Sequence, residues 1–270
     1  MFVNPSRIVS KSRHLTKEWR KPKGYSFAAK TQVVPIVAAE IKHCVRFFPV
    51  GIIGQSNEHE LVAILGRVPD ENLFVAPDGR WIGNYIPAMI RGYPFRLVQT
   101  KEEQLLLGFD ESSGLIQDSG LEEGATRFYD DEGNPTEDTQ KMVEFLTFTH
   151  QNLQQSRKAV NMLAELDLLE PWSITPESKD PSGAGASKVS EKKLNSIDGE
   201  RLARLHGAGA LGIAYAQLLS MQNVENFTQL AQIHDQQAKL KVARSPALPA
   251  DFLSREDGDL LIDWDQVLKP

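Results

Sequence analysis

The chain has 270 residues, of which 41% are hydrophobic and 24% charged, with a net charge of −6 and one cysteine, Cys44. This composition is typical of a globular protein, and a single cysteine excludes an intrachain disulfide framework. No run approaches the roughly 18 apolar residues of a membrane-spanning helix, and the N-terminus lacks the apolar stretch of a secretory signal, so the default expectation is a cytoplasmic protein. The net negative charge disfavours nucleic acid as the main partner.

The first 135 residues are predicted to form short strands separated by turns. Compact apolar runs bounded by turn residues indicate strands at 61–65, 72–76 and 104–109. The Pro-Asp-Gly sequence within 76–81 predicts a hairpin-type turn, because proline presets φ and glycine accepts a positive φ. A similar turn rich in Asp and Gly follows in 127–136.

One segment of this part has a different pattern. In QVVPIVAAEIKHCVRFF (32–48), Pro35 suits the first turn of a helix, and the apolar residues that follow recur at helical spacing. Pro49 would end such a helix. We therefore predict a helix here within a part of the chain that is otherwise rich in strands.

From Thr136 the hydrophobic period becomes that of a helix. An apolar stripe predicts a long helix from Asp138 to Leu166. Residues 171–193 are rich in Pro, Ser, Gly and charged residues, so they are predicted to be a flexible linker. Helical spacing returns in 199–221 and 224–242.

The sequence therefore predicts an α+β fold in four parts. A β-rich part that includes the long helix occupies 1–170, the linker 171–193, a helical unit 194–244 and an acidic tail 245–270. The tail carries several large apolar residues, namely Leu260, Leu261, Ile262 and Trp264. We expect it to dock on the rest of the protein for this reason.

Charge is distributed unevenly along the chain. Residues 1–30 carry eight Lys or Arg and one acid, whereas residues 101–138 carry twelve Asp or Glu and two bases. Runs of this kind usually form solvated faces. We interpret them as two surfaces that could face each other.

Three glycines, Gly207, Gly209 and Gly212, have the G-x-G-x-x-G spacing of a dinucleotide-binding turn, and Asp235 follows at a suitable distance. That turn requires an apolar strand immediately before the glycines. The residues before them, DGERLARLH, are charged and have helical spacing instead. We predict that the glycines allow two helices to approach closely, and we predict no dinucleotide site.

The sequence indicates neither a metal site nor a cofactor. The six histidines are scattered, and HELVA (59–63) has Ala63 where a metalloprotease motif needs its second histidine. Cys44 is expected to be a small buried apolar residue.

The most unusual stretch, 71–98, interleaves aromatic residues with arginines. Pro87 can open a short helix, Gly92 can end it and Pro94 prevents its continuation. An arginine beside an aromatic wall suits a carboxylate, a phosphate or a peptide, while the alternative is a corner whose aromatic residues simply join the core. The candidate binding residues are Arg80, Trp81, Tyr85, Arg91 and Tyr93.

These residues also carry a resemblance. The segments NLFV, DGRW and YIPAMIRGYPF, with YSFAA and VVPIVAAEI before them, resemble the SapC-like family of bacterial proteins. The later stretch KLNSIDGERLARLHGAGALGIAYAQLLSMQNVENFTQL is similar to the C-terminal signature of that family. The resemblance implies an accessory part in a bacterial nutrient-uptake or surface-related system, and it supplies no catalytic residues.

We therefore expect a non-enzymatic accessory protein that binds a protein or peptide partner through the corner at 80–96. One alternative is an enzyme of unknown reaction whose site is assembled from distant residues. Its candidates would be Asp78, Tyr85, Arg91 and His150. A second alternative is a structural protein associated with a surface layer.

Overall fold

The computed structural model describes residues 7–55, 58–120, 124–174 and 185–244. The strands are β1 (Arg7–Ile8), β2 (Lys17–Trp19), β3 (Val33–Pro35), β4 (Val50–Gln55), β5 (Glu58–Ile64), β6 (Phe95–Gln99), β7 (Leu105–Phe109), β8 (Ile116–Asp118), β9 (Thr126–Arg127), β10 (Leu169–Pro171) and β11 (Ala186–Val189). The helices are α1 (Lys11–His14), α2 (Ile41–Cys44), α3 (Ala88–Arg91), α4 (Glu137–Glu165), α5 (Glu191–Asn195), α6 (Gly199–Gly207), α7 (Ala210–Ser220) and α8 (Asn226–Arg244). The predicted α+β class is confirmed, with short strands first, then a long helix and a helical C-terminal region.

The largest sheet has the strand order β10-β11-β4-β5-β3, with antiparallel neighbours throughout. Strands β4 and β5 form its central hairpin, in which Val50 lies opposite Ala63. The residues from Leu61 to Leu65 are fully buried. Helices α4 and α7 pack against this sheet, so the main core lies between them and the strands.

Two smaller sheets, β1-β7-β6 and β8-β2-β9, surround a second apolar cluster. The buried residues of this cluster are Trp19, Phe95, Phe109, Phe128, Tyr129 and Leu146. Leu146 belongs to α4, whose Val160 and Leu163 lie in the main core. The long helix therefore connects the two clusters.

The long helix was predicted correctly to within one residue at each end. Its N-cap is Thr136, whose side chain accepts a hydrogen bond from the backbone N–H of Thr139. Glu137 and Asp138 follow in the first turn, where negative charge complements the helix dipole.

The two charged regions face each other, as the sequence indicated. Strand β2 pairs with β8, and Lys17 Nζ lies 2.6 Å from Asp118 Oδ1. Arg13 donates two hydrogen bonds through Nη2 to the carboxylate of Glu111, at 2.8 and 2.9 Å. The basic N-terminal segment is thus held by the acidic segment of the same chain.

Two predicted elements are wrong. Residues 32–48 do not form one helix, because Val33–Pro35 is a strand paired with β5, and only a 3-10 turn at Ala38–Glu40 and the four-residue α2 follow it. Residues 72–76 are not a strand but a turn region, in which Val75 forms a single bridge to Trp81. The hairpin-type turn at 76–81 is confirmed, with Gly79 at φ +85°.

The prediction of a flexible linker at 171–193 is wrong for the two ends of this segment, which the structure describes. Strand β10 ends at Pro171, and β11 pairs with β4 inside the main sheet. The middle of this segment, 175–184, and the predicted acidic tail, 245–270, lie outside the described residues. The described helical region packs on the same core as the sheet, since Ile213 and Phe227 belong to the main cluster.

The glycines of the apparent dinucleotide motif follow a helix, not a strand. Gly207 ends α6, and Gly209 has φ +69° and precedes α7. The prediction of close helix packing is wrong, because a Cβ added at Gly207, Gly209 or Gly212 would meet nothing within 4 Å. Gly209 instead separates the two helices, because it adopts a left-handed backbone conformation that costs glycine little.

Candidate functional site

The corner at 80–96 is built around the short helix α3. Pro87 stands at its N-cap and Gly92 at its C-cap, as the sequence predicts. A Cβ on Gly92 would lie 3.0 Å from the side chain of Leu146, so this glycine lets the corner approach α4 closely. The corner is therefore fixed against the long helix.

The buried side chain of Glu40 holds the corner in place through hydrogen bonds on its inner side. Its side chain is buried, and its Oε2 accepts hydrogen bonds from the Tyr85 hydroxyl at 2.8 Å and from the Ala88 backbone N–H at 2.9 Å. Its Oε1 accepts a third from the Val37 N–H at 3.0 Å. A buried carboxylate needs such donors, and here they join the first turn of α3 to the segment before α2.

Arg91 lies on the surface of the corner over two aromatic rings. Its Cζ is 5.7 Å from the centre of the Tyr85 ring and 5.2 Å from the centre of the Phe145 ring. Its Nε donates to the backbone carbonyl of Ile86 at 3.0 Å. Within the described part of the chain its Nη1 and Nη2 have no hydrogen-bond acceptor, so the outer edge of the guanidinium can accept a ligand.

Tyr85 joins this arginine to a third ring. The imidazole of His43 stacks on it, with ring centres 5.1 Å apart and planes 15° from parallel. Burial raises the pKa of Tyr85, and its hydrogen bond to Glu40 raises it further. His43, Tyr85, Arg91 and Phe145 thus form a continuous row of contacts, and Tyr85 keeps its proton at neutral pH.

The other predicted binding residues have different surroundings. Trp81 packs against Phe74 and donates its indole N–H to the Tyr85 carbonyl at 2.8 Å. Tyr93 stacks on Phe27, with ring centres 4.0 Å apart. Its hydroxyl donates to Asp110, and its pKa is raised to about 12, first by burial and then by that carboxylate. These two rings support the corner and offer little free surface.

Arg80 lies in the exposed turn and is ion-paired with Asp78 at 2.7 Å. This pairing also occupies Asp78, one of the residues proposed for an assembled enzyme site. Tyr85 from the same set donates its hydroxyl to Glu40. His150 lies in α4, half-buried, and the structure shows no contact that joins it to Asp78.

Cys44 is fully buried beside this corner, as predicted. Burial raises its pKa, and the nearby Glu40 raises it further, so the thiol stays protonated. Among the described residues no group of three His, Cys, Asp or Glu side chains could hold a metal ion.

One cleft of the described structure lies away from this corner. It has a volume of about 560 Å³ and runs between the loop at 66–77 and α8. Arg67 is paired there with Glu71, and His234 donates to the Leu73 carbonyl at 3.0 Å. None of the five predicted binding residues lines it.

Sequence reasoning identified Arg91 and Tyr85 but missed three of their neighbours. Glu40, His43 and Phe145 come from other parts of the chain, and only one of them had a local signal. That residue is Glu40, the single acid within the apolar segment VVPIVAAEI. An acid in such a segment is expected to be buried, and a buried carboxylate needs hydrogen-bond donors from elsewhere in the fold.

The fold and the site define an α+β protein whose corner at 80–96 carries an exposed arginine over half-buried aromatic rings. The model of the SapC family matches residues 9–227, most of the chain, and the chain belongs to this family. No match was found among curated proteins or among solved structures. In the described residues, no helix combines the length and the apolar character needed to cross a bilayer.

Proposed function

We propose that this SapC family member is a non-enzymatic accessory protein that binds a protein or peptide partner through the surface of Tyr85, Arg91 and Phe145. The observation that carries the proposal is the exposed guanidinium of Arg91, which lies over two rings and whose outer edge meets no acceptor among the described residues. The bacterial nutrient-uptake or surface-related setting of this function comes from the family resemblance.

The chemistry of this surface suits a peptide carboxylate next to an apolar side chain. A guanidinium fork matches the two oxygens of a carboxylate, and the aromatic rings give it an apolar border. Phe148, one helical turn beyond Phe145, is 58% exposed and extends this border. Arginine and aromatic residues are also the types most often found at the centres of protein interfaces.

The same residues are poorly suited to acid–base catalysis. Tyr85 has a raised pKa and donates its only hydroxyl proton to Glu40, while all three hydrogen bonds of the Glu40 carboxylate are made within the protein. A catalytic acid or base works best with a pKa near the working pH. These properties of Tyr85 and Glu40 favour binding over catalysis at the corner.

The test is affinity capture from a lysate of the native host with the tagged full-length protein and three variants. Arg91→Met should reduce the captured partner by about tenfold or more, because it removes the charge and keeps the stem. Arg91→Lys should restore capture only partly, since an ammonium lacks the planar fork. Lys192→Met, at an exposed cation of α5, is the matched control.

Thermal unfolding of each variant shows whether it remains folded. A partner retained equally by the wild type and Arg91→Met would overturn the proposed surface. Loss of the partner from Lys192→Met as well would show that capture depends on general charge and not on Arg91.

A further inference from the structure

The basic surface extends beyond Arg91 to the turn of α2. Lys42 and Arg46 stand four residues apart, and helical hydrogen bonds from Val45 to Ile41 and from Phe48 to Cys44 continue through this turn. Residues with this spacing are neighbours on one side of a helix. His43 lies between them in sequence and contacts Tyr85, which contacts Arg91. We call Lys42, Arg46 and Arg91 the basic patch.

The three cations of the basic patch have no ion-pair partner in the described structure. No carboxylate among the described residues lies within 4.0 Å of their charged nitrogens. The acid beneath them, Glu40, is buried and bonded to Val37, Tyr85 and Ala88. Neighbouring like charges on a helical turn repel each other, and an acidic occupant would relieve that repulsion.

The chain itself contains an acidic segment of suitable composition. Residues 251–265 carry six acids and one base, and they account for most of the net charge of −6. The acids are Asp251, Glu256, Asp257, Asp259, Asp263 and Asp265. The apolar residues Leu260, Leu261, Ile262 and Trp264 lie between Asp259 and Asp265, which matches a patch that borders on Tyr85, Phe145 and Phe148.

The segment is also long enough to reach the basic patch. The described structure ends at Arg244, and residues 245–258 span about 45 Å when extended. Asn223, three residues before α8, bonds to the carbonyl of Val45 beside Arg46, and the 19 residues of α8 are about 28 Å long, so Arg46 lies within this reach of Arg244. A tethered segment has a high effective concentration, so even a weak attraction produces substantial occupancy.

We infer that the acidic segment 251–265 binds the basic patch of its own chain and covers the surface of Arg91. The inference rests on the proposed function in one respect, namely that a partner binds the same surface and displaces the segment. Such a partner therefore presents an acidic and apolar sequence similar to that of the segment. The segment is thus a built-in competitor of the partner.

A zero-length carbodiimide cross-linking experiment on the full-length protein tests this directly, because the reagent joins a lysine amine only to a carboxylate that it touches. Lys42 should couple to acids of 251–265 in the monomer, with a yield at least about fivefold above that of Lys192, because opposite charges hold the groups together. Arg46→Gln should reduce the Lys42 yield by about fivefold without removing the amine or adding a competing carboxylate.

A second variant changes the acidic segment and leaves the basic patch intact, so the test does not depend on whether Arg46→Gln folds. Neutralising Asp259, Asp263 and Asp265 to Asn should lower coupling of Lys42 to the remaining acids of the segment and should increase partner capture. Equal coupling at Lys42 and Lys192, no coupling at Lys42, or coupling found only in a dimer would each overturn the inference.

The outcomes of the two proposals can be told apart. Coupling of Lys42 to the segment without any partner dependent on Arg91 would contradict the proposed function alone. A partner dependent on Arg91, captured by a protein whose Lys42 does not couple, would contradict the segment inference alone.

Discussion

Glu40 determines the geometry of the candidate site more directly than any residue that contacts solvent. One buried carboxylate accepts hydrogen bonds from Val37, Tyr85 and Ala88. It thereby orients the ring under Arg91 and the first turn of α3. Its partner Tyr85 is 45 residues away in sequence, so no local pattern could reveal the pairing.

Glu40→Gln should destabilise the protein by about 2–4 kcal/mol, because the amide places a donor where a buried acceptor is needed. Urea denaturation measures the loss. Glu225→Gln, at an exposed position, should change the free energy of unfolding by less than about 0.5 kcal/mol and serves as the control. Equal stability of wild type and Glu40→Gln would mean that the carboxylate does not anchor the corner.

His14 makes stability depend on pH near neutrality. Its side chain is fully buried against Phe128, and burial lowers its pKa, although Glu111 partly opposes this. The unfolded chain therefore binds a proton more readily than the folded protein does. The contribution of His14 is fully present above the unfolded pKa of about 6.5 and is lost as the pH falls toward the lower folded pKa.

The free energy of unfolding of the wild type should therefore fall more between about pH 7.5 and about pH 5.5 than that of His14→Gln, which cannot titrate. Urea denaturation at both pH values gives the comparison. A steeper fall in the variant would mean that Glu111 dominates and that the folded pKa is raised.

At the scale of the elements, α6 and α7 depend on two glycines in different ways. Gly209 has φ +69°, whereas Gly212 lies inside α7 and faces open space. Gly209→Ala should destabilise by about 1 kcal/mol because of the left-handed backbone. Gly212→Ala should stabilise by about 0.5–1 kcal/mol because alanine favours the helix.

Thermal and urea unfolding of the two variants check the opposite signs. Destabilisation by Gly212→Ala would support the rejected idea of close helix packing. Equal effects of the two substitutions would contradict the turn at Gly209.

The elements that the sequence predicted correctly are those with a long local signal. The stripe of α4 extends over 29 residues, so its limits could be read directly. The segment 32–48 was misleading because its apolar residues are divided between β3, where Val34 is buried, and α2, where Cys44 is buried. The strand is specified by pairing with Ile64 and Val62, far along the chain. Arg91 and Tyr85 were both among the candidate binding residues because they lie in one short stretch, whereas Phe145 joins them only through the packing of α4.

At the scale of the whole molecule, α7 joins the helical region to the main sheet through polar side chains. Gln217 is fully buried, accepts from the Val189 N–H at 2.9 Å and donates to the Val50 carbonyl at 3.2 Å. Ser220 accepts from the Val50 N–H at 2.9 Å. These bonds satisfy backbone groups of β4 and β11 that the sheet leaves free.

Gln217→Leu should lower the stability by about 2–4 kcal/mol, because it leaves two buried backbone groups unsatisfied. Tryptophan fluorescence and far-ultraviolet circular dichroism should report the same shifted midpoint, since sheet and helices share one core. Gln222→Leu, at an exposed position, is the control. A shift in circular dichroism alone would mean that the helical unit 194–244 unfolds independently.

Site-specific photo-cross-linking in the native host is the sharpest test of whether the Arg91 surface binds a partner. A photoreactive phenylalanine analogue replaces Phe148, which is 58% exposed next to Phe145, or Tyr215, which is 49% exposed on α7. We expect a discrete adduct of higher mass from position 148 that disappears with Arg91→Met, and none from position 215. An adduct from position 215 only, or one from position 148 that persists in Arg91→Met, would contradict it.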